Sequence, residues 1–107
     1  MSYTEEQKRN SFKPLSENLI ILDFEGCRYL GEIHLILKEK FGLPEYYGEN
    51  LDALWDCLNG RFDKEILVEI RGTISLPEEL QKALAQIFDV FQDLEKENPE
   101  FRFKIVS

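Results

Sequence analysis

The chain is 107 residues long, and 13 Lys and Arg against 21 Asp and Glu leave a net charge of −8 near pH 7. That length suits one domain, and 43% hydrophobic residues with eight Phe supply a core, which excludes a disordered chain. The excess of acid excludes a grip on a nucleic-acid backbone, which needs clustered Lys and Arg, and suits either a cationic partner or solubility alone.

Residues 1–17 are polar, mixed in charge and without periodicity, and read as a flexible N-terminal extension ahead of a folded domain over 18–107. They hold no apolar stretch of the secretory kind. The longest apolar run, Leu19, Ile20, Ile21 and Leu22, is far short of the roughly 20 residues of a membrane span. The expectation is a cytoplasmic protein without membrane contact. Residues 19–24 form a short apolar run that ends at Glu25 and Gly26, as a buried strand and its turn do. Leu30, Ile33, Leu37 and Phe41 then step by three, four and four, an amphipathic helix that Gly42 and Pro44 stop. His34 falls on the flank of that stripe, at the helix surface or the core edge, with no nucleophile to serve.

Asn50 suits the N-cap of a helix through Leu58, closed by Gly60. Residues 66–70 are a second apolar, branched run and hence a buried strand. Ser75 and Pro77 open a long helix with Glu78 and Glu79 in its first turn, where the dipole favours anions. Its stripe is Leu80, Leu84, Ile87, Phe91 and Leu94, and Asn98 and Pro99 end it. Phe101, Phe103 and Ile105 alternate with Arg102, Lys104 and Val106, a strand wet on one side and so an edge. Strand, helices, strand, helix, strand predicts an α/β fold, a small parallel sheet with right-handed crossovers. Cys27 and Cys57 make no disulfide framework, and with His34 they are one ligand short of a closed zinc site, so no metal and no other cofactor is expected.

Residues 41–60 contain no Lys or Arg and four acids, Glu45, Glu49, Asp52 and Asp56, with Tyr46, Tyr47 and the only Trp, Trp55. On a helix starting after Asn50, Leu51, Leu54 and Leu58 point inward, and Asp52, Trp55, Asp56 and Asn59 share another face. Two like charges one turn apart repel and cost an isolated helix a few tenths of a kcal/mol. Two readings fit. Either this is a solvated acidic face, with Asp52 helping the helix N-terminus and Trp55 in the core, or it is a recognition face, in which aromatic anchors and acids surround a cationic target.

The block 43–60, LPEYYGENLDALWDCLNG, closely resembles the barstar family of bacterial ribonuclease inhibitors, and a weaker resemblance runs from about Leu19 to Val106. The resemblance implies a three-layer α/β fold, a three-stranded parallel sheet packed with about four helices. It also implies an immunity protein with no catalysis of its own, binding one-to-one to a basic, extracellular-type ribonuclease or related toxin. Asp56 would enter the phosphate pocket of a barnase-like active site and accept charge-assisted hydrogen bonds from its cations. Asp52 would take a neighbouring cation, Tyr46 and Trp55 would supply rigid apolar contact, Asn59 a polar contact beyond them, and Asp93 an acid from the long helix. Free, the chain would be a monomer. Asn59 stands where the family's founding inhibitor has a hydroxyl residue, Arg61 where it has an aromatic, and Asp93 where it has a glutamate. These departures leave the fold expectation intact and bear on which nuclease is the target.

Two other classes bear on the same residues. Asp52 and Asp56 could be imagined as a carboxylate pair for acid/base work, but adjacent turns of one helix make a convex surface rather than a cleft. An interaction module that keeps the fold and binds a non-nuclease partner is the alternative to inhibition, since fold alone does not fix function.

Overall fold

The computed structural model describes residues 19–62 and 64–106. The extension expected over residues 1–17, and the domain start at residue 18, lie outside them. The element order is β1 (Leu19–Asp23), α1 (Leu30–Phe41), α2 (Leu51–Leu58), β2 (Ile66–Arg71), α3 (Glu78–Glu97) and β3 (Phe101–Ile105). The three strands form one parallel sheet in the order β1-β2-β3, with Ile20 level with Val68, Leu22 with Ile70, and Ile66 with Phe101.

Both steps across this sheet go the same way, so two right-handed crossovers deliver their helices to the same face. The burial pattern agrees. Ile20, Leu22, Ile66, Val68, Ile70 and Phe101 are buried, whereas Leu19, Ile21, Leu67 and Glu69 on the other face are half-buried. On that open face Glu69 is flanked by Arg71 at 2.8 Å and Lys104 at 3.5 Å, which hold its carboxyl below the usual range. The described fold keeps the expected three-stranded parallel sheet. It also has three α-helices among the described residues where about four were expected. In the connection 42–50, Pro44 lacks an N–H, the Tyr47 N–H bonds only three residues back to Pro44 O, and Glu49 turns left-handed at φ 55. One turn forms there, and no helix propagates.

The helix boundaries follow from local chemistry. Glu32 Oε1 accepts the backbone N–H groups of Arg28 and Tyr29 at the start of α1, which also holds its carboxyl below the usual range. Gly42 ends that helix at φ 64, and the Leu43 N–H closes back on Lys38 O. The core is one cluster with Phe91 at its centre. Its ring lies 6.1 Å from that of Phe41, 5.6 Å from Phe101 and 5.4 Å from Phe103, joining α1, α3 and β3. α1 packs on β1 and α3 on β3, whereas the principal partner of α2 is α3. That leaves α2 as the outermost helix, with one face in the core and one in solvent.

Gly72, just past β2, has φ +75, and a Cβ there would run into the Glu25 backbone nitrogen and lie 2.8 Å from Asp23 Oδ1. Gly72→Ala is expected to cost more than about 2 kcal/mol in a urea unfolding titration, because the left-handed penalty alone is roughly 1–2 kcal/mol and the clash is with main chain.

Candidate functional site

The residues between Gly42 and Arg61 carry the candidate site. The loop that leads into α2 is tied down from both sides. Lys38 Nζ reaches Glu45 Oε1 at 3.1 Å, and the Tyr47 hydroxyl lies 2.7 Å from His34 Nδ1. Tyr47 is 7% exposed and Tyr46 is 86% exposed, so adjacent tyrosines divide the work: one anchors the loop in the core and the other stands in solvent. His34 was expected at the surface or the core edge. At 4% exposure it is a core residue, paired to Tyr47. Burial pulls its pKa below the ordinary 6.5, with the nearby Glu49 carboxylate opposing, and burial pushes the Tyr47 phenol up.

Glu49 sits at φ 55, a conformation that L residues with a Cβ disfavour. It reverses the chain between the buried Tyr47 and the extended Asn50. Asn50 is the N-cap, as its residue type suggests. Its side chain accepts the Ala53 N–H at 2.8 Å and donates to Gly48 O at 3.2 Å. With the start of α2 fixed in this way, Leu54 and Leu58 are buried, Leu51 is half-buried, and Asp52, Asp56 and Asn59 are exposed beside a half-buried Trp55. The spacing argument is met for these four residues. Trp55 packs its inner part against the core and leaves the remainder on the surface.

The surrounding charges separate the acids into two kinds. Glu45 is paired with Lys38, and Asp93, exposed on α3, has Lys96 at 4.0 Å. Glu49, Asp52 and Asp56 have no ion-pair partner among the described residues, and no basic residue lies between Lys40 and Arg61. Arg61 itself is half-buried and directs a guanidinium N–H at the Gly42 carbonyl, 3.4 Å away, where a cation suits the C-terminal end of α1.

The residue that sequence reasoning missed is Asn98. It appeared there only as the end of the long helix. The structure buries it to 5% exposure and uses its side chain three times. Its Oδ1 accepts the Gly60 N–H at 2.9 Å, and its Nδ2 donates to Leu94 O at 3.0 Å and to Asn59 Oδ1 at 3.1 Å. These bonds lock the C-terminal ends of α2 and α3 together, so that the exposed face of α2 and Asp93 belong to one rigid pair of helices. No local pattern could have disclosed this, because the two sides are 38 and 39 residues apart.

Among the described residues no group of three or more His, Cys, Asp or Glu is placed to hold a metal, and no helix is long and apolar enough to cross a membrane. Cys27 and Cys57 are free thiols, the first buried and the second half-buried. A groove of about 310 Å³ lies along α3, lined by Thr73, Ile74, Gln81, Leu84 and Phe88. None of these carries a carboxylate, imidazole, amine or thiol. The arrangement at α2 is instead a convex surface able to offer carboxylate oxygens and an aromatic ring to a partner.

Comparison with known proteins adds a family. The family model described as Barstar (barnase inhibitor) matches residues 17–107. A protein of Bacillus subtilis (strain 168) named "Putative ribonuclease inhibitor YrdF" is 33% identical over 87 residues, which cover 81% of this chain and 94% of that protein.

Two measurements check the scaffold of the site. Because His34 is held below 6.5 in the folded state, the unfolded chain takes up its proton at higher pH, and stability falls as pH drops below about 6.5 until the folded-state value is passed. Denaturant titrations between about pH 7.5 and 5, above the range where Glu32 and Glu69 titrate, should show this decline, and His34→Gln should flatten it. Asn98→Ala leaves the Gly60 N–H without its partner at a part-buried contact and unties the end of α2 from α3, and should cost about 1–3 kcal/mol, read by thermal or urea unfolding.

Proposed function

This chain belongs to the barstar family, and on that footing we propose that it inhibits a barnase-like ribonuclease by seating the outward face of α2 in the enzyme's cationic active site. One observation carries the reading. Asp52 and Asp56 stand one turn apart, exposed and without a counter-ion among the described residues, in a stretch from 41 to 60 that holds no Lys or Arg. Like charges at that spacing strain the free helix slightly. Against a cleft lined with Arg, Lys and His the same carboxylates are satisfied, so association gains both the new pairs and the relief of the repulsion.

Each site residue has a role in this reading. Asp56, midway along the exposed face, takes the place of an RNA phosphate and accepts charge-assisted hydrogen bonds from the catalytic cations. Asp52 engages a neighbouring cation. Trp55 contributes a rigid ring whose inner edge is already fixed by the core, so little side-chain entropy is lost on binding. Tyr46, the most exposed aromatic of the loop, closes over the rim. Asn59 and Asp93 bound the footprint on the sides of α2 and α3. The complex is one-to-one, blocks access of RNA and needs no chemistry from the inhibitor. Such a protein acts as an immunity factor, kept in the cytoplasm of a cell that exports the nuclease. The net charge of −8 steers it toward a basic enzyme.

The test is an inhibition titration against barnase and related small basic ribonucleases, with RNA cleavage as readout. Asp56→Ala should weaken the complex by about 2–5 kcal/mol, the range known for buried charge pairs at interfaces, this family's among them. Association should also slow as salt is raised from 50 to 500 mM, because steering between opposite charges is screened. Unchanged inhibition by Asp56→Ala would reject the charge-plug mechanism.

A further inference from the structure

Asn59 follows the last residue of α2, and its side-chain amide is not free to choose which end it shows. The surroundings of Asn98 decide this. The Gly60 N–H can only donate, and it lies 2.9 Å from Asn98 Oδ1. The Leu94 carbonyl can only accept, and it lies 3.0 Å from Asn98 Nδ2. These two main-chain groups fix the Asn98 amide without reference to any other side chain. Its second N–H points at the Asn59 side chain 3.1 Å away, so the atom that receives it is the Asn59 oxygen. The Asn59 NH2 group is therefore the end left outside, exposed and without a hydrogen-bond partner among the described residues. Turning the Asn98 amide over would set donor against donor at Gly60 and acceptor against acceptor at Leu94, and turning the Asn59 amide over would set two NH2 groups against each other at a part-buried contact.

The outward face of α2 consequently changes character along its length. Asp52 and Asp56, when ionised, offer only acceptors. Asn59, three residues past Asp56 and about one turn along the helix, presents only donors. A partner lined by cations over the whole footprint would fit the two carboxylates and then meet donors with donors.

We infer that the C-terminal end of α2 is a second, donor-presenting subsite, read by an acidic side chain or exposed carbonyl that lies beside the cationic cleft of the partner nuclease. This rests on the inhibitor reading and sharpens it, because it names the chemistry of the nuclease rim as well as of its cleft. It also supplies selectivity. A nuclease ringed with basic groups is disfavoured by Asn59, and one with an acid at that point is chosen.

Asn59→Asp separates this subsite from a uniform acidic plug. The substitution is isosteric, keeps the oxygen that receives the Asn98 N–H, and changes only the outward atom from donor to acceptor. On a uniform acidic plug the added charge tightens binding to a cationic cleft. On a donor subsite it weakens binding. Wild type, Asn59→Asp and Asp56→Ala are titrated against barnase and several other small basic ribonucleases, and the enzyme inhibited most strongly by wild type is used for comparison. The expected result is an inhibition constant raised about tenfold or more by Asn59→Asp. Equal or tighter inhibition by that variant overturns the subsite. Failure of the inhibitor reading looks different: either wild type inhibits none of the enzymes or Asp56→Ala changes nothing, and the subsite falls with it.

Discussion

The direction of travel across the sheet constrains everything else in this protein. β1, β2 and β3 are laid side by side in chain order, so each right-handed crossover must bring its helices to the same face. One face of three short strands then has to anchor the whole core. α1 and α3 occupy the places over β1 and β3, and Phe91 fills the space between them and the sheet. α2, only eight residues long, packs instead on α3. Being outermost is what makes α2 available to a partner. The exposed acidic face of α2 is thus a consequence of a crowded sheet rather than an addition to the fold.

An outer helix of that length is marginal by itself, because nucleation costs more than so few backbone bonds return. Its position is set by three devices at its ends. Asn50 caps the first turn, the His34–Tyr47 pair pins the loop before it, and Asn98 holds the turn after it. All three use neutral hydrogen bonds. The Lys38–Glu45 ion pair, which also ties that loop, is closed on itself. Neutral scaffolding beneath a charged surface keeps Asp52 and Asp56 fixed in place without supplying them with counter-ions.

A few acids elsewhere in the molecule are matched locally. Glu69 lies between Arg71 and Lys104 on the open face of the sheet, Glu45 meets Lys38, and Asp93 has Lys96. The edge strand β3 is guarded in the same spirit: Glu95 accepts the outward Phe103 N–H at 3.1 Å, which removes a donor that another strand could use. What sets Asp52 and Asp56 apart is that they stand one turn apart in a stretch, residues 41–60, that holds no Lys or Arg.

Much of this was legible in the residues. Periods of 3.6 and 2, together with Gly42, Asn50, Gly60, Asn98 and Pro99, placed all six described elements within a residue or two. The shared face of Asp52, Trp55, Asp56 and Asn59 followed from helical spacing. These features are local, since they depend on neighbours within one or two turns, and sequence order states them directly. The expectation of about four helices came from the resemblance alone, and three α-helices stand among the described residues. Which tyrosine is buried, where His34 finds its partner and what Asn98 does are likewise decided by contacts 13 to 39 residues apart. So is the end of the Asn59 amide that faces solvent. An amide shows no preference for either of its ends until a fixed donor and a fixed acceptor are brought against it. The sequence by itself determined the elements and the acidic face, and only tertiary contact decided how that face is held and where it turns from acceptor to donor.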